Sequence, residues 1–493
     1  MFPAWFKLKI FFVWVGLLTA VEFVSWLSYS WPNCRPWLTY ATWLVVLIIS
    51  CYRLHYGIYA VFAELVVGSQ GYILAAALSG FTISLRLGLF LILFLAAVFD
   101  VLRRRKIELL KSFYWKWFVA LVCWIIIGVG IAIIYGNSPS NIFYDVNGYL
   151  FIGLLFPITQ GLREREQLKQ LITILFAGVT VLAVQTLFIV FVFSHPNLFQ
   201  YYLTDIYRWI RDFRIGEITQ QSNGFYRVFF QSHLYVVFCL LLAEIHLMKR
   251  WQLWSALTAA IAVLLLFLSY SRSFWLATIV ILGALWGYQW IISVQHRKHV
   301  WLAILSTGLG FILAYGLILA VVNIPIGGAG SGVSASSLLT DRTDNPLNDV
   351  GGGSRLALLK PLLQKNLEHP FTGMGFGTTV TYATKDLRAL AANPNGLYTT
   401  FAFEWGYLDL WLKLGLIGLV TYLLLLCIIV IRTVSQAKQI TEDTFAEMAL
   451  YSMGFGTVAV MIIHVLTPYL NHPLGLGWLI LACVVSDIYA KNR

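Results

Sequence analysis

Charge is what this 493-residue chain has least of: 11% of its residues are Asp, Glu, Lys or Arg, against about 25% in a soluble domain. That scarcity excludes an ordinary cytosolic enzyme. Acidic residues are the rarer sign, 22 against 34 Lys and Arg. Cysteine is sparse too. Cys34, Cys51, Cys123, Cys239, Cys427 and Cys483 have no C-x-x-C spacing and mostly fall inside apolar runs. They read as small core residues rather than a disulfide framework or a metal site. The apolar runs lack the period-two alternation of barrel strands, which argues against a β-barrel. No A-x-A cleavage site follows the first apolar stretch, which begins after Lys7 and Lys9, so a retained signal anchor is expected.

What is abundant is apolar surface: 59% of residues are hydrophobic and mean hydropathy is +0.78. Candidate membrane helices lie near residues 10–29, 37–52, 57–78, 83–102, 115–135, 146–162, 171–194, 228–247, 252–270, 274–293, 300–323, 406–431, 446–466 and 472–490, at about 20 residues a span. Gly and polar residues interrupt the third and the sixth. The fold expected is all-α, a polytopic helical membrane protein of about 12–14 transmembrane helices. Net charge is +12, but the basic residues sit in short clusters between apolar runs and form no groove-like stripe, so nucleic acid is not an expected partner. With the N-terminus inside, Arg53, Arg103 to Lys106, Arg163, Arg165, Lys169, Lys249, Arg250, Arg297, Lys298, Arg432, Lys438, Lys491 and Arg493 all fall on the cytoplasmic side, as the positive-inside rule requires. An even span count returns the C-terminus to that side.

Two outer segments break the pattern of short connections, and both are basic. One runs from about His195 to Arg227 and holds Arg208, Arg211, Arg214 and Arg227. The other, about Ile324 to Glu404, is roughly 80 residues long, far more than a connector needs. It opens with the Gly/Ser-rich "IPIGGAGSGVSASS" and continues as "SRLALLKPLLQKNLEHPFTGMGFGT". There Leu356, Leu358, Leu359, Leu362, Leu363 and Leu367 interleave with Arg355, Lys360, Gln364 and Lys365, which predicts an amphipathic helix on the outer membrane face. Basic residues kept outside against the topological bias point to an anionic ligand. The chain thus divides into an N-terminal multispan region (1–224), a membrane core (225–323), a large outer loop (324–404) and C-terminal spans (405–493).

Arg272, in the run Ser269-Tyr270-Ser271-Arg272-Ser273, stands between two spans with almost no loop and no carboxylate near it in sequence. An arginine at membrane depth costs about 2.5–3.5 kcal/mol on insertion scales. A functional role is therefore its first reading and snorkelling to the outer headgroups its second. Arg355 follows Gly351-Gly352-Gly353-Ser354, a turn whose N–H groups favour anions; otherwise it is a solvated surface arginine. "EHPFTGMGFGT" places Gly373, Gly375 and Gly377 at alternate positions. No strand precedes it, so it reads as a tight turn back to the membrane and not as a dinucleotide fingerprint. Glu404, flanked by apolar Phe403 and Trp405 with Tyr407 one turn on, is a candidate general base; its alternative is an interfacial charge at a helix N-terminus. Asp409 and Lys413, four apart, are expected to pair. Arg227, Arg211, Arg214 and Arg86 are further candidates for an anionic substrate, or interfacial anchors. Glu22, Glu64 and His464 lie in spans and need partners, which helix-packing hydrogen bonds would supply.

S-x-S-R-S-x-W between two spans, then a large outer loop with R…L-L…H-P-x-x-G-x-G-x-G, then an aromatic-rich span with K-x-G-L-I-G-L: in order, spacing and sidedness this resembles the O-antigen ligase and O-antigen polymerase superfamily. The resemblance covers roughly Phe225 to Val430; the first two hundred residues share only their multispan character. It implies a GT-C-like, metal-independent inverting glycosyltransferase with no cofactor. The donor would be a glycan on undecaprenyl pyrophosphate at the outer face of the bacterial inner membrane. The acceptor would be another lipid-linked glycan, lipid A-core or a protein hydroxyl, with a chain-length regulator among the partners such enzymes can have. Arg272 and Arg355 match the family's arginines and would bind the pyrophosphate, with Arg227, Arg86, Arg214, Arg211, Tyr270, Tyr407 and His369 around the substrates. One departure matters. In the ligases a His precedes the Gly of G-L-I-G by eleven positions; counting back from Gly415 gives Glu404, and the nearest upstream His is His369, in the loop. That counts against a standard lipopolysaccharide ligase and leaves a polymerase, or a ligase for another acceptor, ahead.

A flippase for lipid-linked oligosaccharides would also suit this many spans. Such carriers, however, bind near the midplane between two related halves, and no internal repeat is evident. A scaffold in an envelope-assembly complex leaves Arg272 unexplained.

Overall fold

The computed structural model describes residues 5–78, 81–326, 333–334, 336–338, 350–384, 393, 395–440 and 443–491. The helices are α1 (Leu8–Ser30), α2 (Arg35–Tyr52), α3 (Leu54–Val67), α4 (Leu85–Arg104), α5 (Trp115–Ile134), α6 (Pro139–Val146), α7 (Leu155–Gly161), α8 (Arg165–Ser194), α9 (Pro196–Phe199), α10 (Leu203–Asp212), α11 (His233–Lys249), α12 (Leu253–Leu268), α13 (Arg272–Ile292), α14 (Arg297–Asn323), α15 (Val350–Glu368), α16 (Gly406–Gln439), α17 (Thr444–His464) and α18 (Pro473–Lys491). Winding an apolar run into a helix satisfies every backbone group internally, as hydrocarbon requires. Among the described residues eleven helices are long and apolar enough to cross a membrane, with α3 and α12 as shorter apolar helices. Each expected span coincides with one of these helices or with α11. The chain is an all-α, multi-pass membrane protein.

Several spans differ from expectation at their ends, the third, sixth and eighth among them. The third stops at Val67, because Ser69 and Gly71 take positive φ of 49° and 89°. The chain then forms strand β1 (Ala75–Leu78), antiparallel to β2 (Phe81–Ser84) from Ala75↔Ser84 to Leu78↔Phe81. The sixth begins earlier, at Pro139, and runs through a 3-10 stretch, Asn147–Leu154, to Gly161. The eighth begins later. Strands β3 (Glu217–Gln220) and β4 (Tyr226–Phe229) pair from Glu217↔Phe229 to Gln220↔Tyr226, so Arg227 stands on a strand rather than at a helix end. A third hairpin, β5 (Val380–Ala383) with β6 (Leu397–Thr400), belongs to the large loop.

The centre of the bundle is α11, buried from His233 to Met248, as befits a helix apolar on every side. The spans of α17 and α18 are 78% and 94% buried, whereas those of α1, α2 and α14 are 22%, 17% and 22% buried and turn their apolar faces outward. Phe238 of α11 stacks on Trp478 of α18 with ring centroids 3.4 Å apart. The cysteine reading needs correction. Only Cys239 and Cys483 are buried; Cys34, Cys123 and Cys427 are exposed, Cys51 is half-buried, and all six are free. Outward faces of membrane helices accept such residues because lipid is as apolar as the core.

Ionisable groups inside the bundle find ion-pair or hydrogen-bond partners, since a buried charge without one is costly. Arg86 donates to both oxygens of Glu64, at 2.8 and 3.0 Å, and to the Ser69 carbonyl at 2.7 Å. Glu22 accepts from Gln185 Nε2 at 3.2 Å, and His464 Nδ1 accepts from the Leu470 N–H at 3.1 Å.

Candidate functional site

Ser269-Tyr270-Ser271 is a three-residue reversal between α12 and α13 that leads into Arg272. Tyr270 makes it by adopting φ of 51°, a strained conformation for a bulky side chain. It is held there by burial: the ring is 1% exposed, packs against Phe225, Phe267 and Trp275, and its hydroxyl donates to the Leu338 carbonyl. Tyr270 therefore supports the turn from beneath. Arg227 grips the same turn, its Nε donating to the Ser269 carbonyl at 2.8 Å, with its guanidinium over Phe229 at 4.8 Å. Arg272 opens α13, half-buried, at the helix's positive end. Next to it, Ser273 Oγ lies 3.1 Å from Thr467 Oγ1.

The predicted loop helix is α15. Leu358 and Leu362 bury themselves with Val380, Phe403 and Leu412, while Leu356, Leu363 and Leu367 remain exposed. This fixed packing delivers Arg355 to the mouth of α16, where its guanidinium forms an ion pair with Glu404. Trp405 Nε1 donates to the Arg355 carbonyl at 2.8 Å. Phe403 turns inward and Trp405 is half-buried, so Glu404 is exposed on a ledge rather than hemmed in by its apolar neighbours.

Helix α16 is broken. Gly415 has φ 67° and ψ 175°, and the glycine turn of the loop wedges into the gap. Met374 N–H donates to the Leu412 carbonyl at 2.7 Å, and Leu416 N–H to the Pro370 carbonyl at 2.9 Å. The loop thus supplies partners that the interrupted helix lacks, the condition under which irregular backbone survives at membrane depth. Gly373, Gly375 and Gly377 all have positive φ. A Cβ on them would meet Leu412 O at 2.5 Å, Ala132 N at 2.4 Å and Ile142 N at 2.7 Å, so the expected tight turn is also a close-packed plug. Just before the break, Lys413 pairs with Asp409 at 2.5 Å, as its spacing predicts, and also with Asp145 of α6. Asp145 escaped the sequence reading because it sits one residue before the stretch taken as the sixth span; a lone carboxylate flanking an apolar run was its only signal.

Both halves of the site meet the α17–α18 connection. Ser273, beside Arg272, reaches Thr467, and Gly406, two residues after Glu404, donates its N–H to the Val465 carbonyl at 3.3 Å. The remaining candidates stand elsewhere. Tyr407 turns to α17, its hydroxyl donating to the Met461 carbonyl at 2.9 Å. His369 lies against Tyr135 at 3.2 Å, at the opposite end of α15 from Arg355, roughly 20 Å away along the helix. Arg86 is consumed by Glu64. Arg211 bonds the Tyr207 hydroxyl at 3.1 Å, and Arg214 lies over Tyr72 at 4.7 Å, both exposed beside the β3–β4 hairpin. Among the described residues no group of three His, Cys, Asp or Glu could hold a metal ion.

The fold is that of a polytopic helical membrane protein, with Arg272 and the exposed Arg355–Glu404 pair at connections between its spans. Residues 257–423, from α12 through the loop to α16 beyond its break, match the family described as O-antigen ligase. That match spans about a third of the chain, and over it the chain is similar to the O-antigen ligase family. Comparison with curated proteins and with solved structures returns no match.

Proposed function

We propose that this protein transfers a glycan from undecaprenyl pyrophosphate to an acceptor hydroxyl at the outer face of the bacterial inner membrane, inverting the anomeric carbon, and that the acceptor is a second lipid-linked glycan. The observation that carries the reading is the Arg355–Glu404 pair at the mouth of α16, which, like Arg272, has a chain neighbour bonded to the α17–α18 connection. Guanidinium forks suit phosphate oxygens, so Arg272 and Arg355 hold the pyrophosphate. The acceptor oxygen attacks the anomeric carbon, the bond to the pyrophosphate oxygen breaks, and its electron pair leaves with undecaprenyl pyrophosphate. Donors aimed at such developing charge are each worth about 2.7–4 kcal/mol in a dry site. Glu404 takes the proton of the acceptor hydroxyl.

The ion pair sets the order of events. Arg355 and Glu404 are 38% and 55% exposed, and exposed pairs contribute only about 0.2–1 kcal/mol. An incoming pyrophosphate therefore displaces Glu404 from the guanidinium and frees the carboxylate to act as base only once the donor is present. A glutamate where the ligases carry histidine favours the polymerase over a lipopolysaccharide ligase. The test is to incubate purified protein in detergent with a short undecaprenyl-pyrophosphate glycan as sole glycan. A ladder of longer lipid-linked chains is expected. Transfer that begins only after lipid A-core or an acceptor protein is added would make the protein a ligase instead.

A further inference from the structure

We infer that Lys413 is a positioning residue for the transfer reaction: with Asp145 and Asp409 it forms a buried ionic lock that pins the first half of α16 and the glycine wedge to the bundle. The inference rests on the roles assigned above to Glu404 and Arg355.

The break at Gly415 leaves Gly406–Leu414 as a separate piece of helix. A continuous span would hold its mouth in place by its own axis, whereas a piece of two to three turns has little stiffness of its own and stands where its contacts put it. At its inner end those contacts are the lock. Lys413 reaches Asp145 on α6 and Asp409 one turn back, and all three side chains are buried. The carboxylates are engaged on their other oxygens as well, Asp145 by the Gly377 N–H at 2.8 Å and Asp409 by Asn471 Nδ2 at 3.0 Å. Four separate parts of the chain meet here: α6, the wedge, the half-helix and the α17–α18 connection.

Two carboxylates face one ammonium, and Lys413 is the one cation paired with them among the described residues. Without it two buried carboxylates face each other with no cation between them, an uncompensated arrangement that destabilises what they hold. The wedge is the part to loosen, since its Gly377 N–H binds Asp145 and its Met374 N–H binds Leu412, next to Lys413. Glu404 and Trp405 stand at the other end of the half-helix, roughly 12 Å along its axis, and Trp405 holds Arg355. A tilt of this piece therefore moves the base and the phosphate-binding arginine together.

Full-length Lys413→Met, uncharged and of similar length, separates positioning from bulk stability. Amide exchange followed by mass spectrometry should quicken about tenfold over residues 370–378 while α11 keeps wild-type protection. Turnover should fall at least about tenfold, with KM for the lipid-linked donor within about threefold. Unchanged exchange over 370–378 would overturn the lock; faster exchange with unchanged turnover would overturn the positioning role. If α11 also loses protection, Asn471→Ala, which removes only a neutral donor to Asp409, decides by the same two criteria at smaller amplitude. The exchange arm needs no glycan transfer, so a wild-type protein inactive towards every acceptor would refute the transferase reading while the lock is still judged.

Discussion

Arg272, Arg355 and Glu404 differ in what their loss should do. On the proposed mechanism either guanidinium is a charge-stabilising donor, so Arg272→Ala and Arg355→Ala should each lower turnover by about 10²–10³-fold, with the protein still present in the membrane. Glu404→Gln keeps the shape and removes the proposed base, for an expected loss of about 10²–10⁴-fold. Initial rates of undecaprenyl pyrophosphate release, normalised to membrane-inserted protein, check all three. A normal rate from Arg272→Ala would sink the pyrophosphate site, and one from Glu404→Gln would remove that residue from the chemistry. Arg272 was legible in the sequence because an arginine with no loop around it is costly to place. Glu404 was legible by its distance from Gly415. Asp145 was not, because its partner Lys413 lies 268 residues away and only the tertiary fold joins them. The partner of Arg86 was not legible either: α3 and α4 fold back on each other and bring it to Glu64.

At the scale of elements the break in α16 matters most. Gly415 occupies a backbone region closed to other residues, and a Cβ there would meet the Phe371 carbonyl oxygen at 2.1 Å. Gly415→Ala should cost about 1–3 kcal/mol and lower the thermal unfolding midpoint in detergent. Gly283→Ala on α13, where nothing lies within 4 Å of an added Cβ, should leave the midpoint within error or raise it slightly. Equal midpoints for the two variants would show that the break is not imposed by the wedge. Run length in the sequence found the spans but not this break, because "LGLIGL" is apolar throughout and a helical period passes over it unmarked. The β1–β2 hairpin hid likewise, its alanines and leucine reading as more of the third span until the positive φ of Ser69 and Gly71 turned the chain.

The whole molecule follows from composition: little charge and long apolar runs leave a helical bundle as the fold. Which helices form its centre does not follow. The span of α5 has a mean hydropathy of 2.8 yet is 28% buried, whereas that of α18 has 1.7 and is 94% buried. In hydrocarbon the inside and the outside of a bundle are both apolar, so hydropathy cannot rank them. Orientation rests on the basic clusters and is open to direct test. With Cys34, Cys123 and Cys427 replaced by serine, a membrane-impermeant maleimide should label Lys360→Cys in intact cells and Lys438→Cys only after permeabilisation; the reverse pattern would invert the topology. The most direct test of the transferase claim uses a donor labelled separately in its lipid and its sugars. The account predicts one free undecaprenyl pyrophosphate for each glycan moved to an acceptor. Movement of the intact lipid-linked glycan with no release of undecaprenyl pyrophosphate would contradict it and make the protein a carrier.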